Sequence, residues 1–133
     1  MFVFSKASED TLSTVCQELQ DIANLAITIT CIDFGIPSTG GRRSVADQQK
    51  LFAEGKTAAD GLRRISKHQL GKALDVYAVV NGKPSWEPEH LAMVACAMLQ
   101  AASMLRIKIR WGGHFKPYKN NHGWDMPHFE LMG

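Results

Sequence analysis

The chain has too few cysteines, too irregularly spaced, to build a disulfide framework. Its three, Cys16, Cys31 and Cys96, cannot all pair within one chain, and none forms a Cys-x-x-Cys, so a thiolate zinc site is not indicated either. A reduced compartment is the expectation. Long apolar runs are also missing, since no stretch approaches the roughly 18 apolar residues of a membrane span. The opening Met-Phe-Val-Phe-Ser-Lys lacks a basic region followed by an apolar one, so a cytoplasmic start without a signal peptide and without membrane insertion is expected. Nor is there an excess of one charge: 15 Lys and Arg face 13 Asp and Glu, leaving +2. That balance argues against nucleic acid as a partner, because the pairs Arg42-Arg43 and Arg63-Arg64 are isolated and belong to no recognisable binding motif.

What is present is the composition of an ordinary globular protein, with 45% hydrophobic residues, 21% charged residues, 11 Gly and 5 Pro in 133 residues. One domain spanning 1–133, a monomer, is expected at this size. From Ser8 onward Leu12, Val15, Cys16, Leu19, Ile22, Ala23 and Ala26 recur at helical steps, with Ser8 as N-cap. Ile27 to Phe34 alternates β-branched and polar residues and predicts a strand, ended by Gly35 and Pro37. Ser44 can cap a helix through Phe52, with Gly55 as its stop, and Ala58 to Lys67 reads as irregular surface. Ala73 to Val80 predicts a central strand before the hairpin signal Asn81-Gly82. Pro88 opens a helix whose stripe is Leu91, Val94, Ala95, Met98, Ala102 and Leu105. Ile107 to Trp111 and Pro127 to Leu131 close the chain as short strands. The fold class is therefore α+β, helices packed on a small, mainly antiparallel sheet.

Chemistry concentrates in Ser66-Lys-His-Gln-Leu-Gly-Lys-Ala-Leu-Asp75 and in Asp125-Met-Pro-His128. A carboxylate inside so apolar a strand as that of Asp75 is costly unless it is paired or metal-bound. Two imidazoles, His68 and His128, with Asp75 make a three-ligand set that suits one zinc ion per chain, with a fourth position for water.

The pattern Ser66-x-His68-x-x-Gly71-x-Ala73-x-Asp75, followed by Asp125-x-x-His128, resembles the D-alanyl-D-alanine carboxypeptidase type of zinc metallopeptidases. Gly41-Arg42-Arg43-Ser44-x-x-x-Gln48-x-x-Leu51-Phe52 is similar to that family's segment upstream of the first ligand, so the resemblance runs from Gly41 to the C-terminus. Trp111-Gly-Gly before Asp125-Met-Pro-His128 is most similar to the phage L-alanyl-D-glutamate endolysins. The resemblance implies His68, Asp75 and His128 as metal ligands, Asp125 as the catalytic carboxylate and Arg43, in preference to its neighbour Arg42, as the active-site arginine. It implies a peptidoglycan stem peptide as substrate, cleaved between L-alanine and D-glutamate by metal-activated water, the enzyme reaching the wall after membrane permeabilisation. The alternatives are a D-alanyl-D-alanine carboxypeptidase or dipeptidase, and a wall-binding module without catalysis.

Other residues carry weaker signals. Ser66 can hold its loop or touch substrate, Gln48 can orient Arg43 or close the core, and Glu130 shares a strand face with His128. His114 stands where endolysin-like members often carry Asp; His122 reads as a solvated or substrate-edge residue and His90 as exposed. Trp111 is expected in the core, Trp124 flanks the site in sequence, and Cys96 is expected to be a buried, inert thiol. Arg63, Arg64, Lys67 and Lys72 form a basic edge near His68, either a solvated face or an attraction for an acidic peptide.

Overall fold

A computed structural model describes residues 1–57, 59–116 and 124–133; His122 lies outside the described residues. Among the described residues four α-helices, α1 (Lys6–Leu12), α2 (Gln17–Ile29), α3 (Val45–Ala53) and α4 (Pro88–Leu105), accompany two sheets. β1 (Asp33–Gly35), β3 (Tyr77–Val80) and β4 (Lys83–Ser85) form one antiparallel sheet in the order β1-β3-β4. β2 (Ala73–Asp75), β6 (His128–Leu131) and β5 (Ile109–Trp111) form the other, in the order β2-β6-β5. The fold is α+β, and the single sheet expected from sequence is two. Among the described residues no helix is long and apolar enough to cross a membrane.

The core lies where α2 and α4 pack on the sheets, with Leu19, Ile22, Phe34, Leu74, Met98 and Phe129 almost without solvent contact. Several local expectations give way to this packing. The N-terminal helix is two helices: α1 is capped by Ser5, and Ser8 is buried, its Oγ accepting from the Ile36 amide at 3.0 Å. The stretch from Ile27 stays helical to Ile29, because Ala26 and Ile27 complete the buried face of α2, and the strand begins only at Asp33. Ala73 to Val80 breaks at Val76, whose amide bonds to Pro127 O at 3.0 Å, so its halves serve different sheets. Cys96 is exposed on α4, on the side away from Val94 and Met98, and Leu105, although on their face, is exposed because it is the last residue of the helix. Other signals hold: Ser44 Oγ caps α3, and Asn81 and Gly82 turn the β3–β4 hairpin with φ of 53° and 75°.

Candidate metal centre

The second sheet sets the site. Its register pairs Asp75 on β2 with His128 on β6 as direct cross-strand neighbours, which brings their side chains together on one face. His68 arrives from the 3-10 helix Lys67–Leu70, whose start is fixed by reciprocal bonds between Ser66 and Gln69 and whose end is turned by Gly71 at φ 69°. Ser66 therefore has a structural task, holding the turn that presents His68.

Three donor atoms meet in a nearly equilateral triangle. His68 Nε2 is 3.2 Å from Asp75 Oδ1 and 3.2 Å from His128 Nδ1, and His128 Nδ1 is 3.2 Å from Asp75 Oδ1. A tetrahedral ion with bonds of about 2.0 to 2.1 Å needs donors roughly 3.3 Å apart. The group His68, Asp75 and His128 thus fits a metal in both donor type and spacing.

Each donor is aimed by a partner on its other side. His68 Nδ1 donates to Gly41 O at 2.9 Å, leaving the Nε2 lone pair for a cation. His128 Nε2 donates to Glu130 Oε1 at 2.9 Å, leaving Nδ1. Asp75 Oδ2 accepts from Arg43 Nη2 at 3.1 Å, leaving Oδ1. The period of two along β6 is what places Glu130 under His128. Lys67 Nζ and Arg110 Nη1 lie 3.6 Å and 3.9 Å from Glu130 Oε2 and balance its charge.

Arg43, not Arg42, belongs to this group. Its Nε donates to Thr39 O at 3.2 Å and its Nη1 to Gln48 Oε1 at 3.3 Å, while Gln48, fully buried, donates to Ala59 O at 2.8 Å. The preceding loop grips both Asp75 and His68: Asp75 N bonds to Gly40 O at 2.9 Å and Arg43 N to His68 O at 3.0 Å. Sequence reasoning missed the carbonyls of Gly40 and Gly41; their signal was the Gly-Gly pair just before the arginines.

Asp125 Oδ2 stands 3.9 Å from His128 Nδ1, beside the triangle, with its side chain 48% exposed. Burial of the carboxyl among its neighbours, reinforced by the negative charge of Asp75, raises it above its ordinary value against the pull of His128, His68 and Arg43. Asp75 moves the other way: burial would raise it, but the His68 charge and hydrogen bonds from both imidazoles hold it well below the carboxylate range. For His128 burial opposes protonation, yet the bonds to Asp75 and Glu130 prevail and push it up to about 10. Without a metal, His128 accordingly favours its protonated form at neutral pH.

Gly112 makes the placement of Asp125 possible. The Asp125 amide bonds to Gly112 O at 2.9 Å, and a Cβ on Gly112 would fall 1.9 Å from Asp125 O. Gly112→Ala is expected to displace Asp125 and lower turnover by about 10²-fold or more, with metal retained; peptidase assays alongside metal analysis check this. His114 is exposed and packs edge-on against Trp111, ring centroids 5.0 Å apart, so its described contacts tie it to that ring and not to the triangle. Trp111 is partly buried, its Nε1 donating to Met126 O at 2.6 Å. His90 is half-buried and bonded to Ser85 Oγ at 2.6 Å, not free in solvent.

An α+β fold that gathers two imidazoles and a carboxylate at metal-ligand spacing, with a second carboxylate beside them, has the residues of a hydrolytic site. The comparisons make the class specific: the family model for phage L-alanyl-D-glutamate peptidases matches residues 1–132. The L-alanyl-D-glutamate peptidase of Escherichia phage T5 is 34% identical over 98% of both chains. The crystal structure of the Serratia marcescens L-Ala D-Glu endopeptidase ChiX superposes with a TM-score of 0.82 at 32% identity, covering 98% of this chain and 90% of that one. The chain belongs to the phage L-alanyl-D-glutamate peptidase family, and the likeness extends to the 40 N-terminal residues that carry none of the motifs.

Proposed function

We propose that the protein is a zinc-dependent peptidoglycan peptidase that hydrolyses the L-alanyl-D-glutamate bond of the stem peptide. The observation that carries the reading is the 3.2 Å donor triangle with Asp125 beside it, in a chain matched over residues 1–132 by this peptidase family. His68, Asp75 and His128 would hold the ion through the three donor atoms of the triangle. Zinc, when bound, polarises the scissile carbonyl and lowers the pKa of a water from about 15.7 to about 7.

Asp125 receives the proton of the attacking water and delivers it to the D-glutamate nitrogen as the C–N bond breaks. Its raised affinity for a proton suits that shuttle, and its half-exposed position leaves it open to substrate. Arg43 spends three of its five N–H groups on Thr39, Gln48 and Asp75, which fixes the ligand Asp75 and the guanidinium plane together. The two that remain have no hydrogen-bond partner among the described residues and are assigned to the oxyanion of the tetrahedral intermediate. Glu130 acts through His128: Glu130→Ala is expected to weaken zinc binding by about 10- to 100-fold while leaving kcat at saturating zinc within a few-fold. A zinc titration of activity separates the two quantities.

The enzyme is proposed to reach the wall once the membrane has been permeabilised; its recovery outside intact cells would overturn that route. The test of the activity is digestion of purified peptidoglycan, with chelator and with zinc restored, followed by mass spectrometry. Chelator-sensitive release of peptides with D-glutamate at their N-terminus is expected. Release of D-alanine alone, or of peptides at the same rate in chelator, would overturn the reading.

A further inference from the structure

Two clefts each share one residue with the metal centre, and their linings differ in kind. The first, of about 340 Å³, is lined by Arg42, Arg43, Lys50 and Lys56 together with Asp47 and Glu54. The second, of about 190 Å³, is formed by Trp86, Trp124, Leu91 and Met126 with two prolines, and Asp125 is the one charged side chain among its described lining residues. Trp86 and Trp124 are 51% and 40% exposed, which is costly for indoles that serve only packing.

Neither indole is loose. Trp86 packs against Tyr77 with ring centroids 5.8 Å apart at 46°, and Trp124 Nε1 donates to Gly113 O at 3.0 Å. A tryptophan half in water but held by fixed partners offers a flat apolar face at little entropic cost. A pyranose ring presents the matching surface, a row of C–H groups on one face and hydroxyls at its rim.

We propose that the Trp86–Trp124 cleft is a sugar subsite, taking the N-acetylated hexosamine from which the stem peptide hangs. This rests on the activity proposed above and names which half of the substrate lies where. On the acyl side of the scissile bond are L-alanine, without a charged side chain, and the sugar's lactyl ether. On the amine side come D-glutamate and the residues after it, which carry carboxylates. Asp125 in the tryptophan cleft repels an anion, whereas the first cleft attracts one: Glu54 pairs with Lys56 at 3.6 Å and Asp47 offsets a second charge, but Arg42, Arg43 and Lys50 leave the lining net positive. The neutral sugar therefore goes to the tryptophans and the acidic peptide towards the arginines.

The test compares N-acetylmuramoyl-L-alanyl-D-glutamate with N-acetyl-L-alanyl-D-glutamate, which keeps the amide and lacks the sugar. Calorimetric titration into zinc-loaded Asp125→Asn protein, slow enough to measure at equilibrium, is expected to give on the order of tenfold tighter binding of the sugar-bearing compound. In that background Trp86→Ala and Trp124→Ala should each remove most of this preference, with affinity for the sugar-free compound changed by less than about twofold. That unchanged affinity also shows that the variants are folded. Equal affinity for the two compounds, binding of neither, or a tryptophan variant that weakens both alike would overturn the proposal. Hydrolysis by the unmodified protein is measured beside it: if the sugar-bearing compound binds tighter but neither is cleaved, the peptidase reading fails and the sugar subsite stands.

Discussion

His128→Ala is expected to yield a folded protein that neither retains zinc through dialysis nor cleaves peptidoglycan. His128 supplies one corner of the donor triangle, and the remaining pair, His68 and Asp75, is a two-ligand site open to solvent exchange. Losing a direct ligand should exceed the roughly 10- to 100-fold penalty of losing an outer partner, so affinity should fall by more than about 10³-fold. Thermal denaturation with and without zinc offers a second readout. Ligand at about 100 times its Kd stabilises a folded protein by about 2.7 kcal/mol; the unmodified chain should gain such a shift and the variant should not. His68→Ala is expected to behave alike, and stoichiometric zinc in either variant would displace that residue from the ligand set.

The proton held by the metal-free site gives this prediction a pH dependence. His128 is raised from 6.5 to about 10, so its contribution to the stability of the metal-free protein is complete below 6.5 and is lost as pH rises through about 10. Asp75 is lowered, so its contribution is present above 3.8 and disappears on acidification. Zinc must expel the His128 proton, hence its apparent affinity should rise with pH across the neutral range, and binding should release close to one proton near pH 7. Calorimetry in two buffers of different ionisation enthalpy counts that proton; a count of zero would mean that His128 is already neutral when zinc arrives.

How legible the site was depended on where its contacts come from. His68, Asp75 and His128 stood out as candidate ligands because a carboxylate in an apolar strand needs a reason and the spacing around them resembles a metallopeptidase family, and the strand period also put Glu130 on the face of His128. The partner of His68 was not visible, since a backbone carbonyl has no residue signature, and only the fold brings Gly41 within 2.9 Å. The same holds for Lys67, which reads as part of a basic edge but donates to Leu131 O and lies 3.6 Å from Glu130 Oε2. Strand propensity misled at Ile27 to Ile29, where β-branched residues continue α2 because helix burial outweighs a preference worth tenths of a kcal/mol per residue. The split of Ala73 to Val80 between two sheets was hidden for a related reason: one apolar run can serve either sheet, and the bond from Val76 to Pro127 decides. Trp86 gave no signal in sequence, because exposure beside Asp125 is a property of the folded surface alone.

Asp125→Asn is expected to lower kcat by about 10²- to 10⁴-fold, the range contributed by a positioned acid or base, with zinc content unchanged. The geometry separates this residue from the ligands: Asp125 Oδ2 lies 3.9 Å from His128 Nδ1, outside the 3.2 Å triangle, so removing its charge leaves the three donors and their outer partners in place. An amide of the same shape keeps the contact with solvent and substrate but cannot take a proton from water. KM should therefore change far less than kcat, the signature of an interaction made in the transition state. Loss of the carboxylate also removes one negative charge beside His128, which at present supports its protonated form. Zinc binding to the variant should be no weaker for that reason, since the proton that competes with the ion is held less firmly. A variant with full kcat would remove Asp125 from the proton path, and one that loses zinc would make it a fourth ligand; steady-state kinetics with metal analysis on the same sample distinguishes the outcomes.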